Sequence, residues 1–445
     1  MKLRLVLFFS FFHFFIFTSL MAQEKLDSVG AVVMDAETGE PIPYVSVYVS
    51  SECGTISNYE GEFCLQCLPS DVIRISCIGY GKVSYKASEL LRFAQAQAEP
   101  ATIHMKPIAS TLREITVMGT DNILARLVYK MQKEARKNKK AEAHYFYRLS
   151  TRYPGTDELA EAFLTAKSCV QIRDVHFHSG NRGLLSEGKI DNPDLKGLGQ
   201  TDLHTFLRLA PILLYEDVWD FAIVPSDIVL SRKGKLLDVS CTAFTEDDGT
   251  EICKIHVTGK PGTASSYTVL EGTMYVDRKK CQLLRFDGEV QGLYMRFYDH
   301  ARQRASIDLM QCSLHVDYRH DHGFTEIANM SGTIVKGGVM LRYILFNLGD
   351  KEMEFKRSVH VGSNMVQAID KVGYDSTLWA MTGIVKRTQA EERVAFGDST
   401  FHLPSKSKYN VAPSVQEAGA NKYLNDAIRQ LKAGTMQLHR GLPEK

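Results

Sequence analysis

A dense group of residues able to do chemistry is HVDYRHDHGF at residues 315–324, which holds His315, Asp317, His320, Asp321 and His322. Imidazole nitrogens and carboxylate oxygens are ligands of metals such as zinc. In a strand, His320 and His322 would point to the same face, as two ligands of one ion must. The segment from Asp321 to Gly323 is equally typical of an exposed hairpin turn. Because the spacing places no fourth ligand, we predict no metal site and no cofactor. Whether His315, His320 and His322 bind an ion stays open.

Nucleophilic catalysis is indicated just as weakly. SKSK at residues 405–408 has the Ser-x-x-Lys spacing of serine acylases, but it lies in a polar segment without a KTG element. The chain contains no G-x-S-x-G elbow and no glycine-rich phosphate loop. We therefore predict no catalytic residue, although an envelope hydrolase with an unrecognised site remains an alternative, since active-site residues can be distant in sequence.

The N-terminal residues predict export. Lys2 and Arg4 precede an apolar run from Leu5 to Leu20, and the small residue Ala22 is followed by polar residues. This pattern is typical of a secretory signal peptide, here residues 1–22. The run is short for a membrane-spanning helix, which needs about 20 apolar residues. We expect a secreted protein in the periplasm, with peripheral association with the outer membrane as the alternative.

Composition excludes one class of partner. The 445 residues include 53 Lys and Arg and 52 Asp and Glu, so the formal net charge is +1. A nucleic-acid-binding protein needs a basic face, and we predict no nucleic-acid partner. The length leads us to expect two or three domains.

Four cysteines, Cys53, Cys64, Cys67 and Cys77, lie near one another in the chain. The C-L-Q-C spacing of the middle two also occurs in metal and redox sites, but redox CxxC motifs lie at a helix N-terminus and this one follows a predicted strand. Exported cysteines commonly form disulfides. Cys64 and Cys67 are unsuitable partners because three extended residues span about 10 Å. We expect disulfides among the four; the pairing stays open, as do buried thiols and a metal site.

The elements that must position these residues begin with a small β-sandwich. VGAVVMD (29–35), PYVSVYVS (43–50) and DVIRISCIGY (71–80) alternate apolar and polar residues, and Gly39, Pro41 and Pro43 mark a turn. Six or seven short strands within about 80 residues predict an antiparallel sandwich.

The same residues resemble the carboxypeptidase regulatory-like domain, a transthyretin-like sandwich of Gram-negative envelope proteins, over residues 28–107. The matching positions are Gly30, Val32, Asp35, Thr38, Gly39, Pro41, Pro43, Val47, Gly54, Thr55, Gly61, Phe63, Ser76, Ile78, Gly79 and Tyr80. The domain accompanies a zinc peptidase in some proteins and is not itself catalytic. A zinc carboxypeptidase needs His-x-x-Glu, and none of the 14 histidines is followed three residues later by Glu. We therefore expect no enzyme of that kind.

The second region reads as strands with packed helices. DNILARLVYKMQKEARKNKK (121–140) has a helical apolar stripe, and EGTMYVDRKKCQLLRFDGEV (271–290) is typical of a hairpin. The hairpin resembles one found in lipoprotein-carrier-like half-barrels. The order of elements over residues 28 to 350 resembles bacterial surface proteins that place a regulatory-like sandwich before such a region. The resemblance implies architecture and place rather than a reaction.

These observations predict a mainly β fold with some α (α+β). An antiparallel β-sandwich (23–107) and a linker strand (108–120) lead into a larger antiparallel sheet or half-barrel with packed helices (121–350). A C-terminal extension with an amphipathic helix follows (351–445). We expect a non-enzymatic binding or scaffolding module whose partner is an envelope protein or an apolar ligand. A lipid carrier acting through the half-barrel is the alternative.

Overall fold

The computed structural model describes residues 26–50, 53–97, 100–108, 126–127, 130, 133, 142–153, 156–168, 172–186, 237–259, 269–291, 294–299, 304–309, 311–320, 323, 326–336, 339–349, 353–361, 365–381 and 385–396. The predicted signal peptide, SKSK at 405–408, most of the predicted linker strand and of the helix at 121–140, and the C-terminal amphipathic helix lie outside these residues. Within the described part, no helix has the length and apolarity needed to cross a membrane.

The N-terminal part is a sandwich of two small sheets, as the alternating runs predict. Its elements are β1 (Asp27–Asp35), β2 (Ser46–Tyr48), β3 (Gly54–Ile56), β4 (Glu62–Cys67), β5 (Val72–Ser76), β6 (Val83–Lys86), α1 (Ala87–Gln97) and β7 (Ala101–Met105). One sheet has the order β4-β1-β7 and the other β3-β2-β5-β6. The β1–β7 pair is parallel, which is a departure from the purely antiparallel expectation. All other pairs of the sandwich are antiparallel.

The sandwich core follows the period-two alternation of its strands. Val29 and Ala31 of β1 lie beside Leu65 and Phe63 of the neighbouring strand β4, and all four are buried, as is Val33. A strand places successive side chains on opposite faces, so the residues between them point outward. This alternation leaves the polar positions of β2 and β5 free to face the second part of the protein.

The second part is, over the residues that the structure describes, one large open sheet of eleven strands, in which every neighbouring pair is antiparallel; the order is β11-β12-β13-β14-β17-β18-β19-β8-β9-β10-β20. Its strands are β8 (Glu142–Tyr153), β9 (Thr156–Ser168), β10 (Ile172–Ser186), β11 (Leu237–Thr245), β12 (Glu251–Gly259), β13 (Val269–Asp277), β14 (Gln282–Gln291), β17 (Gln311–Arg319), β18 (Glu326–Lys336), β19 (Val339–Asn347) and β20 (Val359–His360). A separate hairpin, β15 (Tyr294–Asp299) and β16 (Arg304–Leu309), is inserted between β14 and β17. The predicted hairpin at 271–290 is β13–β14.

The two faces of this sheet differ in chemistry. On β8, Tyr145, Tyr147 and Leu149 lie on one face and are buried, whereas Phe146 and Arg148 lie on the other. In the register between β8 and β19, Leu341, Tyr343 and Leu345 of β19 lie on the same side of the sheet as Tyr145, Tyr147 and Leu149. We call this side the apolar face. The opposite side carries Arg148, His315, Asp317 and other polar residues, and we call it the polar face.

The sandwich and the last two C-terminal helices pack on the polar face, whereas the first C-terminal helix contacts the opposite side, where Asp370 pairs with Arg182 and Ile369 lies against Gly180. The helices are α2 (Met365–Val372), α3 (Ser376–Met381) and α4 (Gln389–Phe396). A shared apolar cluster joins Ile56 of the sandwich, Phe146 and Phe163 of the sheet, and Leu378 and Val385 of the C-terminal segment. The three parts therefore bury apolar surface together, in addition to their polar contacts.

A buried ion cluster fixes the C-terminal segment to the sheet. Arg148 Nε donates to Glu161 Oε1 at 2.8 Å, and Arg387 Nε donates to the same oxygen at 3.0 Å. Arg148 also pairs with Glu391 at the start of α4. Arg148 and Glu161 are 1% and 0% exposed. Two arginines and two carboxylates thus share one dry site, which removes the cost of burying any one of them alone.

Candidate functional site

A crevice lies between the sandwich and the polar face of the sheet. Its volume is about 490 Å³, within the 300–1,000 Å³ typical of small-molecule sites. The sandwich wall carries hydroxyl groups, from Tyr44, Ser46, Tyr48, Ser50, Thr55 and Ser76. The sheet wall mixes apolar and charged residues, among them Leu284, Phe346, Arg285, Asp317 and Arg319.

The hydroxyl-bearing wall follows from the sequence of β2. Val47 is buried in the sandwich core at 1% exposure, so its neighbours Ser46 and Tyr48 must point away from that core. The short strand β2 also pairs with β5, and this register places Ser76 directly beside Ser46 on the same wall. Serine and tyrosine at alternate positions of one strand thus become one side of the crevice.

The floor of the crevice continues into a chain of charged side chains on β14, β17 and β18. Arg285 Nε donates to Asp287 Oδ2 at 2.6 Å, and Asp287 accepts a hydrogen bond from His315 Nδ1. The other ring nitrogen of His315 lies 3.1 Å from Asp317 Oδ2, which also accepts from Asn329 Nδ2 at 2.9 Å. The register explains this grouping, because Asp287 pairs with His315 and Arg285 with Asp317.

The charges of this chain perturb one another. Burial by itself would lower the pKa of His315, but the negative charge of Asp317 and the bonds to both carboxylates raise it above its usual value. Burial by itself would raise the pKa of Asp287, but the bond from His315 and the charge of Arg285 hold it well below its usual range. The pKa of Asp317 is lowered for the same reason. The arrangement therefore favours a cationic His315 between two carboxylates.

Contacts from the sandwich complete the site. The Tyr44 ring stacks on His315 with centroids 5.1 Å apart, and Arg285 Nη1 donates to Cys77 Sγ at 2.9 Å. At the rim, Lys82 Nζ lies 3.1 Å from Glu246 and 2.8 Å from Asp248. The sandwich is thus joined to the sheet by an aromatic stack, a charge-assisted hydrogen bond and ion pairs.

The chemistry available to these groups is limited. Both ring nitrogens of His315 face carboxylates, so neither carries a lone pair ready to accept a proton. Burial raises the pKa of the Cys77 thiol, despite the neighbouring charge of Arg285, and the protonated thiol is a weak nucleophile. The floor is suited to presenting fixed charges and hydrogen bonds to a bound molecule.

The predicted histidine group is divided by the structure. His315 enters the charged chain, whereas His320 bonds through Nε2 to the carbonyl oxygen of Leu283 at 2.7 Å. Gly323 has a φ of +75° and donates to the carbonyl of His320, as the predicted turn requires. His322 lies outside the described residues. In the described part of the chain, no three or more His, Cys, Asp or Glu side chains are grouped as metal ligands.

The four cysteines of the sandwich have different surroundings. All four are thiols in the structure. Cys67 is buried in the core, Cys64 lies 3.0 Å from Ser28 Oγ, and Cys77 faces Arg285. The disulfides expected among them stay a prediction. Arg285 and Asp287 were not identified from the sequence, and only the strand register brings them to His315.

Comparison with known proteins bears on the sandwich most directly. Residues 30–117 match the family model of the CarboxypepD_reg-like domain. No curated protein matches the chain closely enough to count as a relative.

Two solved structures are similar to part of the chain at low sequence identity and low TM-score. A DUF1329 family protein from Desulfovibrio piger is similar over 52% of this chain and 93% of its own, with 10% identity and a TM-score of 0.18. The MucA/MucB complex structure of Pseudomonas aeruginosa is similar over 50% of this chain and 94% of the matched chain, with 8% identity and a TM-score of 0.18. The family match confirms the resemblance read from the first strands: the N-terminal sandwich, which forms one wall of the crevice, is similar to the CarboxypepD_reg-like domain.

Proposed function

We propose that the protein is a non-enzymatic binding module of the cell envelope, and that the crevice between the sandwich and the sheet holds its ligand. The observation that carries this proposal is the crevice of about 490 Å³ with walls from both parts of the chain. The signal-peptide pattern of residues 1–22 supports the envelope as the place.

The lining favours a small ligand with both polar and apolar groups. Hydroxyl groups of Ser46, Tyr48 and Ser76 offer donors and acceptors on one wall, and Leu284 and Phe346 offer apolar surface on the other. The charges at the floor are already paired with one another, so they orient a polar ligand without demanding a net charge on it. A ligand bearing hydroxyl or amide groups on an apolar frame fits this lining.

The absence of catalysis is part of the proposal. A general base must be able to accept a proton near the operating pH, and His315 is held cationic between Asp287 and Asp317. A catalytic thiol needs a lowered pKa, and that of Cys77 is raised. A lipid carrier would instead use the apolar face, where Tyr145, Tyr147 and Tyr343 are buried in packing.

Native mass spectrometry of the exported full chain tests the proposal. We expect the protein purified from the periplasm to carry a small additional mass that is lost under denaturing conditions. Ser46→Trp fills the crevice from β2 and should lower the occupied fraction at least about tenfold, because the added indole takes the ligand's space.

Thr102→Trp is the matched control, since Thr102 is exposed on β7 in the other sheet of the sandwich. It should leave the occupied fraction unchanged. A bare wild-type mass, or equal occupancy in Ser46→Trp and wild type, would contradict the crevice as the binding site.

A further inference from the structure

Two cysteines approach each other from the two sheets of the sandwich. Cys53 immediately precedes β3, and Cys67 is the last residue of β4. The Cys53 sulfur lies 3.6 Å from the carbonyl oxygen of Gln66, the residue directly before Cys67. Cys67 is a member of the sandwich core, and Cys53 packs against the same core. Cys53 therefore lies beside the end of β4 that carries Cys67.

The other cysteines of the sandwich point elsewhere. Cys64 and Cys67 lie on opposite faces of β4, because the buried positions of this strand are 63, 65 and 67. The Cys64 sulfur contacts Ser28 Oγ on the outer side, and Cys77 accepts a hydrogen bond from Arg285 across the crevice. Among these four cysteines, the geometry leaves one pairing.

We propose that Cys53 and Cys67 form a disulfide that joins the two sheets of the sandwich in the exported protein. Disulfides persist outside the cytoplasm, where thiols are not kept reduced. The bond would close a loop of 15 residues, counted from Cys53 to Cys67. A cross-link of this kind restricts the unfolded chain and thereby stabilises the fold.

The oxidant is a thiol–disulfide oxidoreductase in its disulfide form. The Cys53 thiolate attacks one sulfur of that disulfide, which breaks it and gives a mixed disulfide. Cys67 then attacks the Cys53 sulfur, and the oxidoreductase leaves as a dithiol that has taken up two electrons and two protons. Burial raises the pKa of Cys67 to about 11, so the more exposed Cys53 is the first to react.

The bond would also fix one rim of the crevice. The backbone nitrogens of Val49 and Ser50 both donate to the carbonyl oxygen of Cys53. Ser50 and Gly54 line the crevice on either side of this cysteine. Anchoring Cys53 to β4 therefore holds the segment that forms this rim, whether or not a ligand occupies the crevice.

Non-reducing peptide mapping of the exported full chain tests the pairing. The protein is denatured in iodoacetamide without reductant, then cut with trypsin and a Glu-specific protease. Cleavage after Glu52, Glu60, Glu62 and Arg74 separates residues 53–60 from residues 63–74. We expect these two peptides to be linked, with Cys64 alkylated and with a mass about 2 Da below the sum of residues 53–60 and the Cys64-alkylated residues 63–74, because two hydrogens are lost. Alkylation of Cys53 and of both cysteines of residues 63–74 without reduction, or linkage of residues 53–60 to another peptide, would overturn the pairing.

Single substitutions assign the sulfur on the second peptide. Cys64→Ser should keep the link and Cys67→Ser should abolish it, leaving Cys53 open to alkylation. Dithiothreitol should lower the melting temperature of the wild type by about 5 °C or more and leave that of Cys53→Ser unchanged. Retention of the link in Cys67→Ser, or loss of it in Cys64→Ser, would refute Cys67 as the partner. Should Cys67→Ser fail to accumulate, fragmentation of the linked wild-type peptides decides between Cys64 and Cys67.

Discussion

Glu161→Gln should strongly destabilise the attachment of the C-terminal segment to the sheet. Glu161 is 0% exposed and binds both Arg148 and Arg387. Burial opposes its ionisation, but the charges of Arg387 and Arg148 lower its pKa from 4.5 to about 2. At ~1.4 kcal/mol for each tenfold change in the proton equilibrium, the folded protein gains about 3 kcal/mol from this carboxylate at neutral pH. Glutamine keeps the shape and loses that gain.

The sign of the pH dependence follows from the lowered pKa. The contribution of Glu161 is complete above pH 4.5, its value in the unfolded chain, and is lost as the pH falls through about 2. Urea unfolding followed by far-UV circular dichroism should therefore show a difference between wild type and variant of about 3 kcal/mol at pH 7 and about 1 kcal/mol at pH 3.

Glu354→Gln serves as the control, since Glu354 is an exposed carboxylate outside the ion cluster. It should change the free energy of unfolding by less than about 0.5 kcal/mol. A loss below about 1 kcal/mol in Glu161→Gln at pH 7, or a difference that does not shrink at pH 3, would refute the reasoning.

Three further outcomes are expected in urea unfolding. Because the pKa of His315 is raised, the stabilisation that its positive charge provides is complete below pH 6.5 and is lost as the pH rises through the raised pKa. The wild type should therefore lose more stability than His315→Gln between about pH 6 and pH 9. Equal losses in the two proteins would contradict this. Gly61 has a φ of +74°, and an added Cβ would lie 2.5 Å from the carbonyl oxygen of Val33. Gly61→Ala should lower the free energy of unfolding by about 2–3 kcal/mol. Gly39→Ala should lower it by about 1 kcal/mol, because φ is +71° there but no atom lies close to the added Cβ. Similar losses in the two variants would contradict the close approach of Gly61 to Val33. Lys82→Ala removes two partly exposed ion pairs and should lower the free energy of unfolding by less than about 1 kcal/mol. Added salt should reduce this loss, and a larger loss that salt does not change would contradict the prediction.

Local alternation was enough to predict the sandwich. The alternation over residues 43–50 and 71–80 predicts one apolar face on each strand, and Val45, Val47, Ile73 and Ile75 on those faces are buried. The same reasoning identified the β13–β14 hairpin from its turn and its flanking strands. Such features depend on neighbours within a few residues, which the sequence displays directly. The helix α1 between β6 and β7 was missed, and β7 pairs in parallel with β1 where an antiparallel arrangement was expected.

The sequence by itself determined the alternating strands, the domain family of the first part and the signal-peptide pattern. Only the tertiary structure decided that Arg285, Asp287, His315 and Asp317 form one charged chain and that Tyr44 and Cys77 of the sandwich reach it. The physical reason is that strand order and register are settled by contacts between residues far apart in the chain. Alternation assigns a side chain to one of two faces, but it does not say which strand lies beside it or which domain covers that face.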